Sequence, residues 1–145
     1  ATQPPPRRAD KRNVVAGRRV VAPENRLPLY KRIFVPGIDD LALVGFAQAI
    51  PTLFPFVELQ SKLVARYAGG DYALPSVAEM EWTIDEDVVK HGQFAERPRH
   101  TMQIDWYVYE HDIWQREIPA GRERAQRGMA AKLAGRAERT EPAPA

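Results

Sequence analysis

Apolar residues recur every four positions at Leu59, Leu63 and Tyr67, while Glu58, Lys62 and Arg66 recur on a second face. That period belongs to an amphipathic helix with i,i+4 charge pairs on its solvent side, and it predicts a helix over 56–67. Pro55 suits its start, because a first-turn residue has no intrahelical acceptor for its N–H, and Gly69-Gly70 suits its end. A second helix opens at Leu74-Pro75-Ser76, with Ser76 as N-cap and Glu79 as capping-box partner. Val77, Met80 and Ile84 supply its apolar side.

Upstream the period disappears. Leu41 to Phe46 is almost continuously apolar, which predicts a short strand covered on both faces inside a layered α/β sheet. Arg18-Arg19-Val20-Val21 reads as another short strand, and Asn25 to Phe34 as extended chain leading to the Pro36-Gly37 turn. The longest apolar stretch, 41–57, is broken by Gln48, Pro51, Thr52 and Pro55, and it falls short of the roughly 20 residues of a membrane span. Farther on, Met102, Trp106 and Tyr109 can share a helical face in an aromatic-rich region ending at Trp114. These rings either pack the segment onto a larger body or form a docking surface for another protein. From Gly121 onward, alternating Arg, Glu and Ala predict an exposed helix, ending in a Pro-Ala tail with little to pack.

Composition limits the size and chemistry of the fold. The 145 residues, 44% hydrophobic and 28% charged, suffice for one domain with one core. Nine basic and two acidic residues fall in 1–32, five and thirteen in 33–114, seven and four in 115–145. A basic Pro/Arg-rich flexible arm over 1–24, a body over 25–115 and a charged tail over 116–145 are expected. The arm lacks the aromatic interleaving of a nucleic-acid module, and the body is acidic, so no nucleic-acid partner is expected. The absence of cysteine removes disulfides, thiolate nucleophiles and Cys-based metal sites. His91, His100 and His111 have no HExxH spacing, so no metal is expected. The opening Gln3-Pro4-Pro5-Pro6 run has no apolar leader core, which suggests a cytoplasmic chain with something missing upstream.

Catalytic motifs are scarce. Neither GxGxxG, GxxxxGK[ST] nor GxSxG occurs, and no catalytic residue is assigned. Asp105 with Asp112, and Glu79 with Asp87, have spacings that can share a helix face, but nothing marks either as an acid/base pair. Asp85-Glu86-Asp87 reads as a solvated face. What remains is a strand ending at Gly45-Phe46-Ala47-Gln48, a proline turn and a helix start. In an open α/β sheet that is the crevice where ligands meet backbone N–H groups and a positive helix end.

Four segments carry a resemblance: Asn25-Arg26-Leu27-Pro28-Leu29-Tyr30-Lys31, Leu41 to Gln48, Phe54-Pro55-Phe56-Val57-Glu58-Leu59-Gln60, and Leu74-Pro75-Ser76 with Met80. Their order and separation resemble the C-terminal part of flavin-containing monooxygenases over Asn25 to Trp82, with a looser match over Asp105 to Asp112. The resemblance implies the end of a Rossmann-like FAD-binding domain, one buried strand plus a packed helix, followed by a helical extension. As a separate chain this α/β piece is expected to be mainly helical with few short strands.

The same resemblance implies FAD and NADP as cofactors of a parent enzyme that reduces FAD with NADPH and transfers one atom of O2 to a nitrogen, sulfur or carbonyl substrate. The isolated chain, without either dinucleotide fingerprint, is expected to be inactive and to bind neither cofactor tightly. Its partners are then an upstream FAD/NADPH-binding portion and a small-molecule substrate, with no membrane contact and the oligomeric state open. Gly45, Phe46, Gln48, Thr52, Leu53 and Phe54 are the implied flavin contacts, and Glu58 and Gln60 serve orientation or packing. One departure stands out: many members have glycine and alanine where this chain has Pro51-Thr52, and proline has no N–H to donate. The alternative reading is a noncatalytic interaction module using 102–114.

Overall fold

The computed structural model describes residues 14–15, 18–19, 27–91 and 103–138. In order these form β1 (Val14–Val15), β2 (Arg18–Arg19), β3 (Gln48–Ile50), α1 (Phe54–Ala68), α2 (Val77–His91), β4 (Gln103–Asp105), α3 (Trp106–Asp112), a π-helical turn (Ile113–Glu117) and α4 (Ile118–Glu138). β1 and β2 pair antiparallel, so Arg18-Arg19 is extended as expected, while Val20 and Val21 lie outside the described residues. β3 and β4 pair in parallel, with Gln48 opposite Gln103 and Ile50 opposite Asp105. The chain is mainly helical with a small parallel sheet, as a partial Rossmann-like domain is.

Both predicted helices form. In α1 the period of four buries Phe56, Leu59 and Leu63, while Glu58 pairs with Lys62 at 2.7 Å in solvent. Its end is a Schellman motif: Asp71 N–H reaches Arg66 O at 3.0 Å and Gly70 N–H reaches Tyr67 O at 3.2 Å. Gly70 takes a φ of +81°, a conformation that glycine adopts without steric cost. α2 starts with the expected capping box, Ser76 N–H to Glu79 Oε2 at 2.9 Å and Glu79 N–H to Ser76 Oγ at 3.3 Å. Met80 is buried, but Val77 faces solvent.

The strand expected over Leu41–Phe46 is not one. Ala42 makes an isolated bridge to Phe34, Leu43 N–H donates to Ile33 O at 2.8 Å, and the extended run breaks at Gly45, whose φ is +78°. Val44 and Phe46 are exposed. The apolar run covers the Ile33-Phe34 turn instead of entering the sheet, and the strand forms later, at Gln48–Ile50.

Of the aromatic region, Trp106 and Ile113 are buried in the core, and the Tyr109 ring lies 5.0 Å from that of Phe56. Tyr107 is 67% exposed, and Met102 lies outside the described residues. α4 is exposed from Gln126 to Ala134, with Met129 and Leu133 in solvent, as its lack of an apolar face predicts.

Candidate functional site

The parallel register brings two helix starts to one edge of the sheet. β4 runs directly into α3, and β3 reaches α1 after three residues, so both helices begin beyond the carboxyl ends of paired strands. This is the edge at which open α/β sheets bind ligands. The two starts differ chemically. Asp105 caps α3 by accepting from Val108 N–H at 3.2 Å. α1 has Leu53 at its N-cap and no side-chain cap. Its first helical bond is Val57 N–H to Leu53 O at 3.0 Å, so the N–H groups of Phe54 and Phe56 precede the ladder, while Pro55 has none.

Around the α1 start the surface is apolar. Phe54 is 86% exposed, and Phe46, Ile50 and Leu53 are exposed with it. Gln48 is exposed at the first residue of β3, and Thr52 and Gly45 are half-buried. The six expected contact residues thus fall along one run, from the Gly45 turn through β3 and the cis Ile50–Pro51 peptide to the first turn of α1. A Cβ on Gly45 would meet Val57 at an ordinary 3.5 Å. Backbone conformation, rather than space, requires glycine there.

Behind this run lies Gln60, fully buried on the core face of α1. Its Oε1 accepts from Gly45 N–H at 2.7 Å, and its Nε2 donates to Arg32 O at 3.2 Å and to Tyr109 Oη at 3.3 Å. The Tyr109 hydroxyl in turn donates to Lys31 O at 2.7 Å. Lys31 and Arg32 both have positive φ, 51° and 58°, so their carbonyls are turned toward α1 and α3 by a tight turn. Burial raises the Tyr109 phenol above its ordinary pKa. Glu58, by contrast, points to solvent.

A second buried polar cluster has no counterpart in the sequence reading. The Glu117 carboxylate accepts from Tyr30 Oη at 2.7 Å, from Tyr72 Oη and from Arg124 Nη2 at 2.6 Å. Lys31 Nζ stands 4.0 Å from Glu117 and 2.6 Å from Asp112. Desolvation first, then the Glu117 charge, pushes both phenols above their ordinary range. For Arg124 burial works the other way, but the charge and hydrogen bond of Glu117, with Tyr72 and Tyr30, together outweigh it and the guanidinium pKa rises. Each buried polar group is paired, which is the condition for tolerating a carboxylate inside a core. Glu117 lies in a charged stretch with no period to mark it. Only the π-helical turn before α4 carries it inward.

A cavity of about 520 Å³ opens beside α3, between Lys31, Arg32, Asp87, Ile104, Tyr107 and Arg116. None of the six expected contact residues lines it. Among the described residues no cluster of His, Asp and Glu is arranged to hold a metal ion, and no helix is long and apolar enough to cross a membrane.

The sequence model of the flavin-binding monooxygenase-like family matches residues 17–120. The chain belongs to that family. Over 88 residues it is 34% identical to Flavin-containing monooxygenase 3 of Macaca mulatta, covering 59% of this chain and 16% of that protein. It is 33% identical over 88 residues to Flavin-containing monooxygenase 5 of Homo sapiens, covering 57% and 16%. The chain spans about a sixth of the length of these relatives. The matched part of this family member contains the whole run from Gly45 to Phe54, the Gln60 network and the Glu117 carboxylate.

Proposed function

We propose that the chain is the C-terminal portion of an FAD- and NADPH-dependent monooxygenase and contributes the flavin-facing edge of its FAD domain. The observation that carries this reading is the apolar edge around the α1 start, in a chain of the flavin-binding monooxygenase-like family. Phe46, Ile50, Leu53 and Phe54 expose apolar side chains along this edge, which suits cover by the upstream portion of the same enzyme. Within the proposed domains, 25–115 is the monooxygenase-like body, 1–24 a basic arm and 116–145 a charged tail.

The residues present fit a flavin. A flat aromatic ring system with a polar, anion-bearing edge requires apolar walls and N–H donors. The edge offers Phe46, Leu53 and Phe54 as walls, Gln48 and Thr52 as polar side chains, and an α1 start with no side-chain cap. The positive end of a 15-residue helix favours negative charge placed before it. Pro51 donates nothing, so in this chain the donors are the backbone N–H groups of Thr52, Leu53, Phe54 and Phe56. When bound, FAD reduced by NADPH supplies the oxygen transfer to a nitrogen, sulfur or carbonyl substrate. This chain's own residues orient the ring, favour negative charge at its edge and exclude water.

An FAD titration followed by flavin fluorescence tests the reading, on the 145-residue chain alone and with a separately expressed FAD/NADPH-binding portion. Stoichiometric binding with NADPH-dependent flavin reduction only in the second case is the expected result. Tight binding by the chain alone overturns the claim that the principal cofactor sites lie upstream. Failure in both overturns the monooxygenase reading and favours an interaction module, although burial of Trp106 and the packing of Tyr109 leave that module a smaller aromatic surface.

A further inference from the structure

An amide on the core face of a helix is costly unless every hydrogen-bonding group finds a partner. Gln60 stands between Leu59 and Leu63 on the buried face of α1, and its three bonds end on three separate parts of the chain. Oε1 holds the N–H of Gly45, in the loop that leads to β3. Nε2 holds the Arg32 carbonyl and the Tyr109 hydroxyl, and that hydroxyl holds the Lys31 carbonyl. Tyr109 is itself wedged against Phe56, in the first turn of α1. The pose of the Gly45 loop is therefore tied, through one side chain, to the 31–32 turn and to α3.

From this geometry we infer that Gln60 and Tyr109 are a positioning relay, which sets the Gly45 loop and the α1 start at the orientation the flavin ring requires. The inference rests on the reading of this edge as flavin-facing. Neither side chain contacts the ring; both act through Gly45 and Phe56. A merely structural pair would lower stability when cut and leave the environment of bound flavin as it was. A positioning pair changes that environment even in molecules that remain folded.

The test uses the enzyme reconstituted from this chain and the upstream portion, with FAD bound. Tyr109→Phe keeps the ring against Phe56 and removes only the hydroxyl. Gln60→Met keeps the volume and removes the amide. Ser76→Ala, which loosens the α2 cap and touches neither residue, is the stability control. Expected is a shift of the visible flavin absorption band in both relay variants, with FAD affinity lower by about tenfold, the scale of one buried hydrogen bond, and no band shift in the control. Should Gln60→Met fail to fold, Tyr109→Phe decides. An unshifted band in Tyr109→Phe, whether affinity is unchanged or falls only as far as in the control, overturns the relay and leaves the flavin-facing reading standing. Failure of the unsubstituted enzyme to bind FAD overturns both.

Discussion

Gly121 in α4 lies flat beneath the ring of Tyr72: a Cβ built on it would overlap Tyr72 Cδ2 and Cε2. The same approach lets Ala73 N–H reach Gly121 O at 3.0 Å and Arg124 Nε reach Ala73 O at 2.9 Å. α4 is thereby locked to the loop between α1 and α2. Gly121→Ala is expected to destabilise the chain by about 2 kcal/mol, overpacking outweighing the gain in helix propensity. Gly128, in the same helix, has no atom within 4 Å of a built Cβ, and Gly128→Ala should stabilise by about 0.5–1 kcal/mol. Urea denaturation of the two variants checks the contrast. Equal effects would mean that the Tyr72 contact does not constrain the fold.

Glu117→Gln removes the charge on which Arg124 and two phenols converge. Breaking a buried pair by neutralising one partner leaves the other desolvated, and a loss of about 3 kcal/mol is expected. The same denaturation experiment measures it. Arg124→Met, which leaves the more buried Glu117 carboxylate without its guanidinium partner, should cost at least as much.

Burial, and then the Glu117 charge, raise the folded-state pKa values of Tyr30 and Tyr72 above the ordinary phenol value of 10.0. Unfolded phenols release their protons near that value, while the folded ones retain them. Above about pH 10 the unfolded state binds fewer protons, so stability is full below that pH and falls as pH rises from there toward the raised folded-state values. Tyr30→Phe is expected to be less stable at pH 8 and to lose less on going to pH 11. Urea midpoints at intervals across that range give the two slopes; parallel slopes would contradict the expectation.

Ser76→Ala removes the Oγ that accepts from Glu79 N–H. Loss of such a cap costs about 1 kcal/mol, and fraying of α2 should appear as faster amide exchange over its first turn. Glu79 is held below its ordinary carboxylate pKa by its bonds to Ser76. The cap contribution therefore falls as pH drops through that lowered value.

Phe54 is almost wholly in solvent in the isolated chain. Phe54→Ser should leave the chain's own stability within about 0.5 kcal/mol, as exposed substitutions do. On the flavin-facing reading it should weaken reconstitution with the upstream portion and the binding of FAD. An unaltered FAD titration in the reconstituted protein would remove Phe54 from the edge.

Local signals were legible where the determining interactions lie within a few residues. The period of four at Leu59, Leu63 and Tyr67, the Gly69-Gly70 stop and the Ser76/Glu79 box are short-range devices, and the structure contains each of them. The six expected contact residues also form one continuous run along the edge.

Tertiary structure decided the rest. The apolar run Leu41–Phe46 has the composition of a buried strand, but its backbone partner is Ile33, and Gly45 breaks it before the sheet begins. Apolar composition specifies burial without specifying the partner, and β pairing is set by contacts distant in sequence. Tyr30 and Glu117 meet across 87 positions, Gln60 and Tyr109 across 49. No periodicity encodes such pairs, because a buried hydrogen bond depends on two backbones arriving with the right direction and distance. The sequence by itself determined α1, the α2 start, the exposed part of α4 from Gln126 to Ala134 and the family resemblance. Only the packed chain determined that a glutamine on an apolar helix face and a glutamate in a charged tail would become the centres of its two buried polar networks.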